Sequence, residues 1–140
     1  MPLQLGSLQK AVGSMEALLM KTEDKALGDS LDEVTRQGLK AGLIQHFEFT
    51  YELCWKFMKR WLEKNLGSVY VDGISKKELF RIAAEHHLIL NVESWFEYHH
   101  ARNETSHIYD QEKADAVYAV AVRFARDART FLETLTSKND

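Results

Sequence analysis

Residues 44–62 read IQHFEFTYELCWKFMKRWL, a stretch in which apolar side chains recur at steps of three and four. This spacing places them on one face of an α-helix. The face comprises Ile44, Phe47, Tyr51, Cys54, Trp55, Met58, Trp61 and Leu62. Phe49, Leu53 and Phe57 widen it beyond an ordinary amphipathic stripe. The pattern predicts a central helix, and its surplus of apolar surface indicates a subunit interface.

The boundaries of this central helix follow from the residues that flank the apolar stretch. Ser30-Leu-Asp-Glu33 has the reciprocal hydrogen-bonding pattern of a capping box, so the helix is expected to begin there and to run to about Asn65. Gly38 and Gly42 each cost up to about 1 kcal/mol relative to alanine in a helix interior. They therefore predict a close helix approach or a bend.

Four other segments carry helical patterns around the central one. Apolar residues at helical spacing predict a first helix from about Leu5 to Thr22. A second capping box at Ser75 opens a short helix to about His87, and Asn91 and Asp110 are the expected N-caps of the last two. The sequence thus predicts an all-α fold: an antiparallel up-down bundle of four long helices plus a short one, in a single domain over residues 1–140.

Composition narrows the class of protein. The chain is 45% hydrophobic, carries a formal net charge of −3 and contains one cysteine, Cys54. A lone cysteine excludes an intramolecular disulfide and fits a reducing compartment, and no secretory signal or long apolar run is present, so we expect a cytoplasmic protein without a membrane segment. The acidic balance argues against a protein that coats long nucleic acid, while a local basic site remains compatible with it.

Residues 102–110 read RNETSHIYD and concentrate the polar chemistry of the chain. These nine residues include a guanidinium, an imidazole, an amide, two hydroxyls and a phenol, groups that together can bind phosphate. On an unbroken helix Arg102 and His107 would be about 140° apart. Their convergence requires either a helix break near His107 to Asp110 or a second copy of the motif across a two-fold axis.

The stretch QHFEFTYELCW at residues 45–55, followed by RNETSHIYD, resembles the nucleotidyltransferase substrate-binding-protein-like family, a branch of the HEPN superfamily. The resemblance spans nearly the whole chain. It implies a helical bundle that forms a homodimer and works with a separately encoded minimal nucleotidyltransferase, the pair often behaving as toxin and antitoxin. The HEPN signature of Arg, four to six residues and His maps onto Arg102 and His107, with Asn103 at the polar position. In relatives with His-x-Tyr the tyrosine accepts adenylyl groups, and here that residue is Tyr109.

Two functions of different class fit this resemblance. In a metal-independent ribonuclease, His107 would act as general acid or base, Arg102 would offset charge on the phosphorane, and Asn103 would orient His107 or the phosphate. In a non-catalytic substrate-binding subunit, Arg102 and His107 would hold phosphate. The partner nucleotidyltransferase would then supply the acidic residues and would bind Mg²⁺ and ATP or another NTP.

Three residues of the central helix complete the candidate binding site. Glu48 and Glu52 would reach Arg102 if the central and fourth helices pack side by side; otherwise they form a solvated strip. Tyr51 is the third candidate, although it belongs to an aromatic stripe with Phe47, Trp55 and Trp61 that is typical of a core. His100 and Glu104 are the one pair at metal-ligand spacing, which is too few for a site, so no metal is expected in this chain.

Overall fold

The computed structural model describes residues 1–140 as α-helices and short turns, without a strand. The helices are α1 (Gly6–Thr22), α2 (Lys25–Ser30), α3 (Glu33–Leu66), α4 (Lys76–Glu85), α5 (Val92–Glu104) and α6 (Gln111–Ser137). Two 3₁₀ turns, Ser68–Tyr70 and Thr105–His107, lie after α3 and α5. The long helices α1, α3, α5 and α6 pack against one another, and α4 packs on α3 and α5. The predicted all-α bundle is confirmed.

The predicted N-caps explain where three of the helices begin. The Ser75 hydroxyl accepts a hydrogen bond from the Glu78 backbone N–H at 3.1 Å. The side-chain oxygens of Asn91 and Asp110 accept from backbone N–H groups two residues later, each at 3.0 Å. Each bond satisfies a donor that the first helical turn leaves without a partner, which stabilises the helix start by about 1 kcal/mol.

The start of α3 differs from the prediction. Ser30 is the last residue of α2, and its hydroxyl donates to the Leu27 carbonyl at 2.6 Å. Asp32 is the N-cap instead, accepting from the Thr35 N–H at 2.8 Å. The capping-box prediction was wrong because Ser30 belongs to the end of a short helix, α2, which Asp24 caps through the Leu27 N–H at 3.0 Å. The polar composition of this segment resembles that of a connection between helices.

The end of α4 also differs slightly from the prediction. This helix ends at Glu85, and His87 has a left-handed backbone with φ of 61°. The Leu88 N–H bonds back to the Ala83 carbonyl at 2.9 Å across this residue. Because αL geometry ends a helix, the chain turns at His87 toward α5 rather than continuing through it.

One hydrophobic cluster occupies the centre of the bundle. Its aromatic members meet edge to face: the ring centroids of Phe47 and Phe124 are 5.1 Å apart, as are those of Tyr98 and Phe124. Of the aromatic stripe on α3, Phe47 and Tyr51 are buried, whereas Trp55 and Trp61 are only partly covered. Burial of Cys54 raises the pKa of its thiol, as expected of a core cysteine rather than a nucleophile.

The close approach predicted from the α3 glycines occurs at one of them. A Cβ at Gly42 would lie 3.4 Å from Leu18 Cδ2 on α1, whereas a Cβ at Gly38 would meet nothing within 4 Å. Gly42 therefore accommodates the packing of α1 on α3. None of the helices combines the length and apolar character needed to cross a membrane.

Candidate functional site

The polar motif lies where α5 gives way to α6. Helix α5 ends at Glu104, and Thr105–His107 form a 3₁₀ turn before Asp110 caps α6. The break therefore begins two or three residues earlier than predicted. The turn buries Thr105 and leaves Ser106 and His107 exposed. This geometry divides the motif into a half-buried side and a solvent side.

Arg102 lies on the half-buried side and is held by residues of α3. Its Nη1 donates to Thr105 Oγ1 at 3.0 Å and lies 3.3 Å from Glu48 Oε2. Its Nε is 3.4 Å from Glu52 Oε1. Helices α3 and α5 therefore pack side by side, and both carboxylates reach the guanidinium, as the binding-site interpretation of Glu48 and Glu52 requires. With 33% of the Arg102 side chain exposed, part of the guanidinium faces solvent.

Thr105 was missed in the sequence. Its hydroxyl accepts the Arg102 Nη1 bond and finds two acceptors for its own proton, Glu48 Oε2 at 3.2 Å and the Arg102 carbonyl at 2.7 Å. The spacing of three residues from Arg102 was the available signal, since side chains at i and i+3 are neighbours on a helix. Thr105 fixes the guanidinium on a short, buried side chain.

His107 and Tyr109 lie on the solvent side. Their rings are 6.3 Å apart between centroids and inclined by 70°. Tyr109 is 86% exposed, and the Asn103 side chain is exposed without a hydrogen bond to the protein. No hydrogen bond or ion pair joins His107 to Arg102 within one protomer. The turn thus places Arg102 and His107 at the same end of α5 without bringing them into contact.

Tyr51 is buried, and only its hydroxyl reaches the polar region. The Tyr51 Oη is 2.8 Å from His99 Nδ1, and burial raises the pKa of the phenol. Burial first, and the nearby Lys76 second, hold the pKa of His99 below its ordinary value. The Nδ1 atom of a neutral His99 can accept a hydrogen bond from the Tyr51 hydroxyl. With 1% of the residue exposed, Tyr51 ties α3 to α5 from within the core.

The described residues contain no cluster of three or more His, Cys, Asp or Glu that could hold a metal ion. His100 and Glu104, the pair singled out in the sequence, line a groove of about 560 Å³ between α5 and α6. Glu104 is instead paired with Lys113 across this groove at 3.3 Å. The site therefore offers a partly exposed guanidinium paired with two carboxylates on one side, and an imidazole and a phenol on the solvent side.

Comparison with known proteins places this geometry in context. The family model described as "nucleotidyltransferase substrate binding protein like" matches residues 3–137. A Haemophilus influenzae protein named probable ribonuclease HepT is 38% identical over 138 residues, covering 98% of this chain and 94% of the relative.

Solved structures share the fold over nearly its full length. One from Haemophilus influenzae, reported as the fold of a substrate binding domain of a nucleotidyltransferase, has a TM-score of 0.90 at 36% identity and covers 95% of this chain and 99% of its own. A crystal structure from Thermus thermophilus, 24% identical, has a TM-score of 0.69 over 94% and 97% of the two chains and shows the same fold. Together with the family match, this likeness shows that the chain belongs to the nucleotidyltransferase substrate-binding-protein-like family.

Proposed function

We propose that this protein is the substrate-binding and acceptor subunit of a two-component nucleotidyltransferase system, and that Tyr109 accepts the nucleotidyl group. The exposure of Tyr109 carries the proposal: its phenol stands 86% open at the turn between α5 and α6. Tyr51 and Tyr98 are buried and cannot enter another protein's active site. The relative whose structure is described as a substrate binding domain of a nucleotidyltransferase supports a partner of that kind.

The transfer requires chemistry from both proteins. The Tyr109 oxygen attacks the α-phosphorus of an NTP held by the partner, the bond to pyrophosphate breaks, and pyrophosphate leaves with the bonding electrons. The phenol proton passes to a base of the partner, which also supplies Mg²⁺. Arg102, His107 and Asn103 offer this chain's donors to the phosphate groups, with Glu48 and Glu52 holding Arg102.

The experiment that tests the proposal is nucleotidylation in a defined mixture. The protein is incubated with ATP, Mg²⁺ and a minimal nucleotidyltransferase from the same organism, and intact mass is measured. We expect the mass of an adenylyl group to be added, and the addition to be lost in Tyr109→Phe. Tyr70→Phe is the matched control, because Tyr70 is also exposed. Addition that persists in Tyr109→Phe would contradict the proposal.

A second function is favoured by one observation, the 38% identity to a protein named probable ribonuclease HepT. In this mechanism His107 removes the proton of a ribose 2′-hydroxyl, and the 2′-oxygen attacks the adjacent phosphorus. The 5′-oxygen leaves as a hydroxyl after taking a proton from water, and a 2′,3′-cyclic phosphate forms, while Arg102 offsets charge on the phosphorane. Since Arg102 and His107 do not meet in one protomer, a homodimer would assemble the site across its two-fold axis.

The two functions are compatible in one system of the toxin-antitoxin kind. A nucleotidyl group on Tyr109 would place a phosphate and a base beside His107 and exclude RNA from it. Cleavage of RNA in the presence of EDTA by the purified protein, lost in Arg102→Ala and in His107→Ala, tests the ribonuclease activity. Retained cleavage in both variants would overturn the assignment of these residues.

A further inference from the structure

Cationic side chains lie over aromatic rings on one side of the bundle, where α3, α4 and α5 meet. The ammonium group of Lys76 is 3.8 Å from the centroid of the Trp55 ring, and that of Lys56 is 5.7 Å from the same ring. Lys77 and Arg81 lie over the Phe96 ring at 5.6 and 5.4 Å. We name this surface the aromatic-basic platform; it comprises Lys56, Lys76, Lys77, Arg81, Trp55 and Phe96.

The charge of the platform contrasts with that of the rest of the protein. The chain as a whole has a net charge of −3, yet Lys56, Lys76 and Lys77 form no ion pair, and of the platform cations only Arg81 does, with Glu78 at 3.3 Å. On α6, Arg123 pairs with Glu97 and Arg129 with Glu16, whereas Arg126 forms no ion pair. Three lysines without an ion pair therefore lie close together on the platform, whereas two of the three arginines of α6 are paired.

The platform is continuous with Arg102. The Trp55 Nε1 donates to Glu52 Oε2 at 2.9 Å, and the other oxygen of this carboxylate is 3.4 Å from Arg102 Nε. On the α5 side, the positive charges of Lys76 and Lys77 act on His99, which bonds to Tyr51. Trp55 and Arg102 thus share one carboxylate, which places the edge of the platform beside the guanidinium.

We propose that the aromatic-basic platform binds single-stranded RNA: the flexible lysines move from the ring faces to the phosphates, and bases stack on Trp55 and Phe96 in their place. Cations beside half-buried aromatic rings are the combination that single strands use, since every base has a face for stacking. A protein partner is less well matched, because interfaces are anchored by large apolar side chains and the exposed ones, such as Phe49 and Leu90, lie outside the platform. What happens to the bound RNA rests on the ribonuclease proposal above; its binding does not.

The test measures RNA binding in a background that cannot cleave. In His107→Ala, fluorescence polarisation of a labelled single-stranded RNA is followed against salt concentration. The triple variant Lys56→Gln/Lys76→Gln/Lys77→Gln is compared with Lys10→Gln/Lys21→Gln/Lys25→Gln, which removes the same charge from exposed lysines of α1 and α2. If each platform lysine neutralises one phosphate, affinity falls about 100-fold at 0.1 M salt and the salt slope falls by about 2. The control triple keeps the affinity and slope of its parent.

Stacking is tested separately from charge. Trp55→Leu is expected to weaken RNA binding about fivefold or more, and Trp55→Phe to retain most of the affinity. Circular dichroism and thermal unfolding verify that each variant is folded. The inference is overturned if both triples weaken RNA binding equally, or if the platform triple binds RNA normally and loses only the nucleotidyltransferase. RNA bound by His107→Ala but left intact by the parent supports the platform and counts against the ribonuclease proposal alone.

Discussion

Thr105 shows how one hydroxyl can fix a functional group. Thr105→Val keeps the shape of the side chain but leaves Arg102 Nη1 without its 3.0 Å acceptor. We expect the free energy of unfolding to fall by about 1–2 kcal/mol, because a charged donor loses a hydrogen bond in a half-buried site. Urea unfolding measures this loss, and Thr105→Ser should restore most of it.

The same substitution separates positioning from stability. Thr105 is buried, so its effect on RNA or nucleotide must pass through the side chains that it bonds, Arg102 and Glu48. We expect Thr105→Val to weaken binding of phosphate-containing ligands, and Thr105→Ser to rescue it. Wild-type ligand affinity in Thr105→Val would show that Glu48 and Glu52 suffice to hold the guanidinium.

Thr50 provides the opposite case at the same scale. Its hydroxyl is fully buried on α3 and has no hydrogen-bond partner. Since Thr50→Val removes an unsatisfied polar group with little change of volume, we expect stability to be unchanged or to rise by up to about 1 kcal/mol. The comparison of the two Thr→Val variants by urea unfolding is internally controlled. If Thr50→Val lowers the free energy of unfolding by more than about 1 kcal/mol, the hydroxyl must bond to a group outside the protein chain, such as a buried water.

At the scale of the elements, α3 contains a position open to improvement. Gly38 is exposed within the helix, and a Cβ there would meet no atom within 4 Å. We expect Gly38→Ala to stabilise the protein by about 0.5–1 kcal/mol, which corresponds to about 2–4 °C in Tm. Gly42→Ala should gain less, because its Cβ would lie 3.4 Å from Leu18. Calorimetry of both variants checks the order; a greater gain at Gly42 would contradict it.

The link between α3 and α5 makes stability depend on pH. The folded protein holds the pKa of His99 below its ordinary value of 6.5, chiefly by burial and then by Lys76, Lys77 and His100 against the opposing Glu52. Between the folded and unfolded pKa values the unfolded chain binds more protons, so this contribution to stability is present above about pH 6.5 and is lost as the pH falls. We expect the Tm to decline from pH 7.5 to 5.5, and His99→Gln to show a shallower decline. Equal slopes would exclude His99 as the source.

The helices themselves were largely predictable because their periodicity and caps are local. Ser75, Asn91 and Asp110 act through bonds to N–H groups two or three residues away, so their role can be inferred from neighbouring letters. Helix α2 was missed, since its six residues carry too short a pattern to distinguish it from a polar connection. The ion pairs of Arg102 with Glu48 and Glu52 depended on which helices pack together. From the sequence, these ion pairs were expected only if α3 and α5 pack side by side, and this packing depends on the tertiary structure.

At the scale of the whole molecule, the arrangement of Arg102 and His107 bears on assembly. Within one protomer, Arg102 and His107 do not contact each other. On α3, next to Glu48, the side chain of Phe49 is 59% exposed. Large aromatic side chains are enriched at the buried centre of protein interfaces. This position agrees with the apolar surplus noted on the α3 sequence.

We therefore predict a homodimer in which α3 contributes to the interface, and we predict that Phe49→Glu weakens it. A carboxylate buried without a partner at an interface costs several kcal/mol, enough to shift the protein to monomer at micromolar concentration. Analytical ultracentrifugation measures the assembly. Leu90→Glu is the matched control, because Leu90 is 86% exposed on the loop before α5. If the ribonuclease site forms between subunits, Phe49→Glu also abolishes cleavage while Arg102 and His107 stay intact. A parent protein that sediments as a monomer, or a Phe49→Glu variant that remains dimeric, would require the two groups to act within one chain.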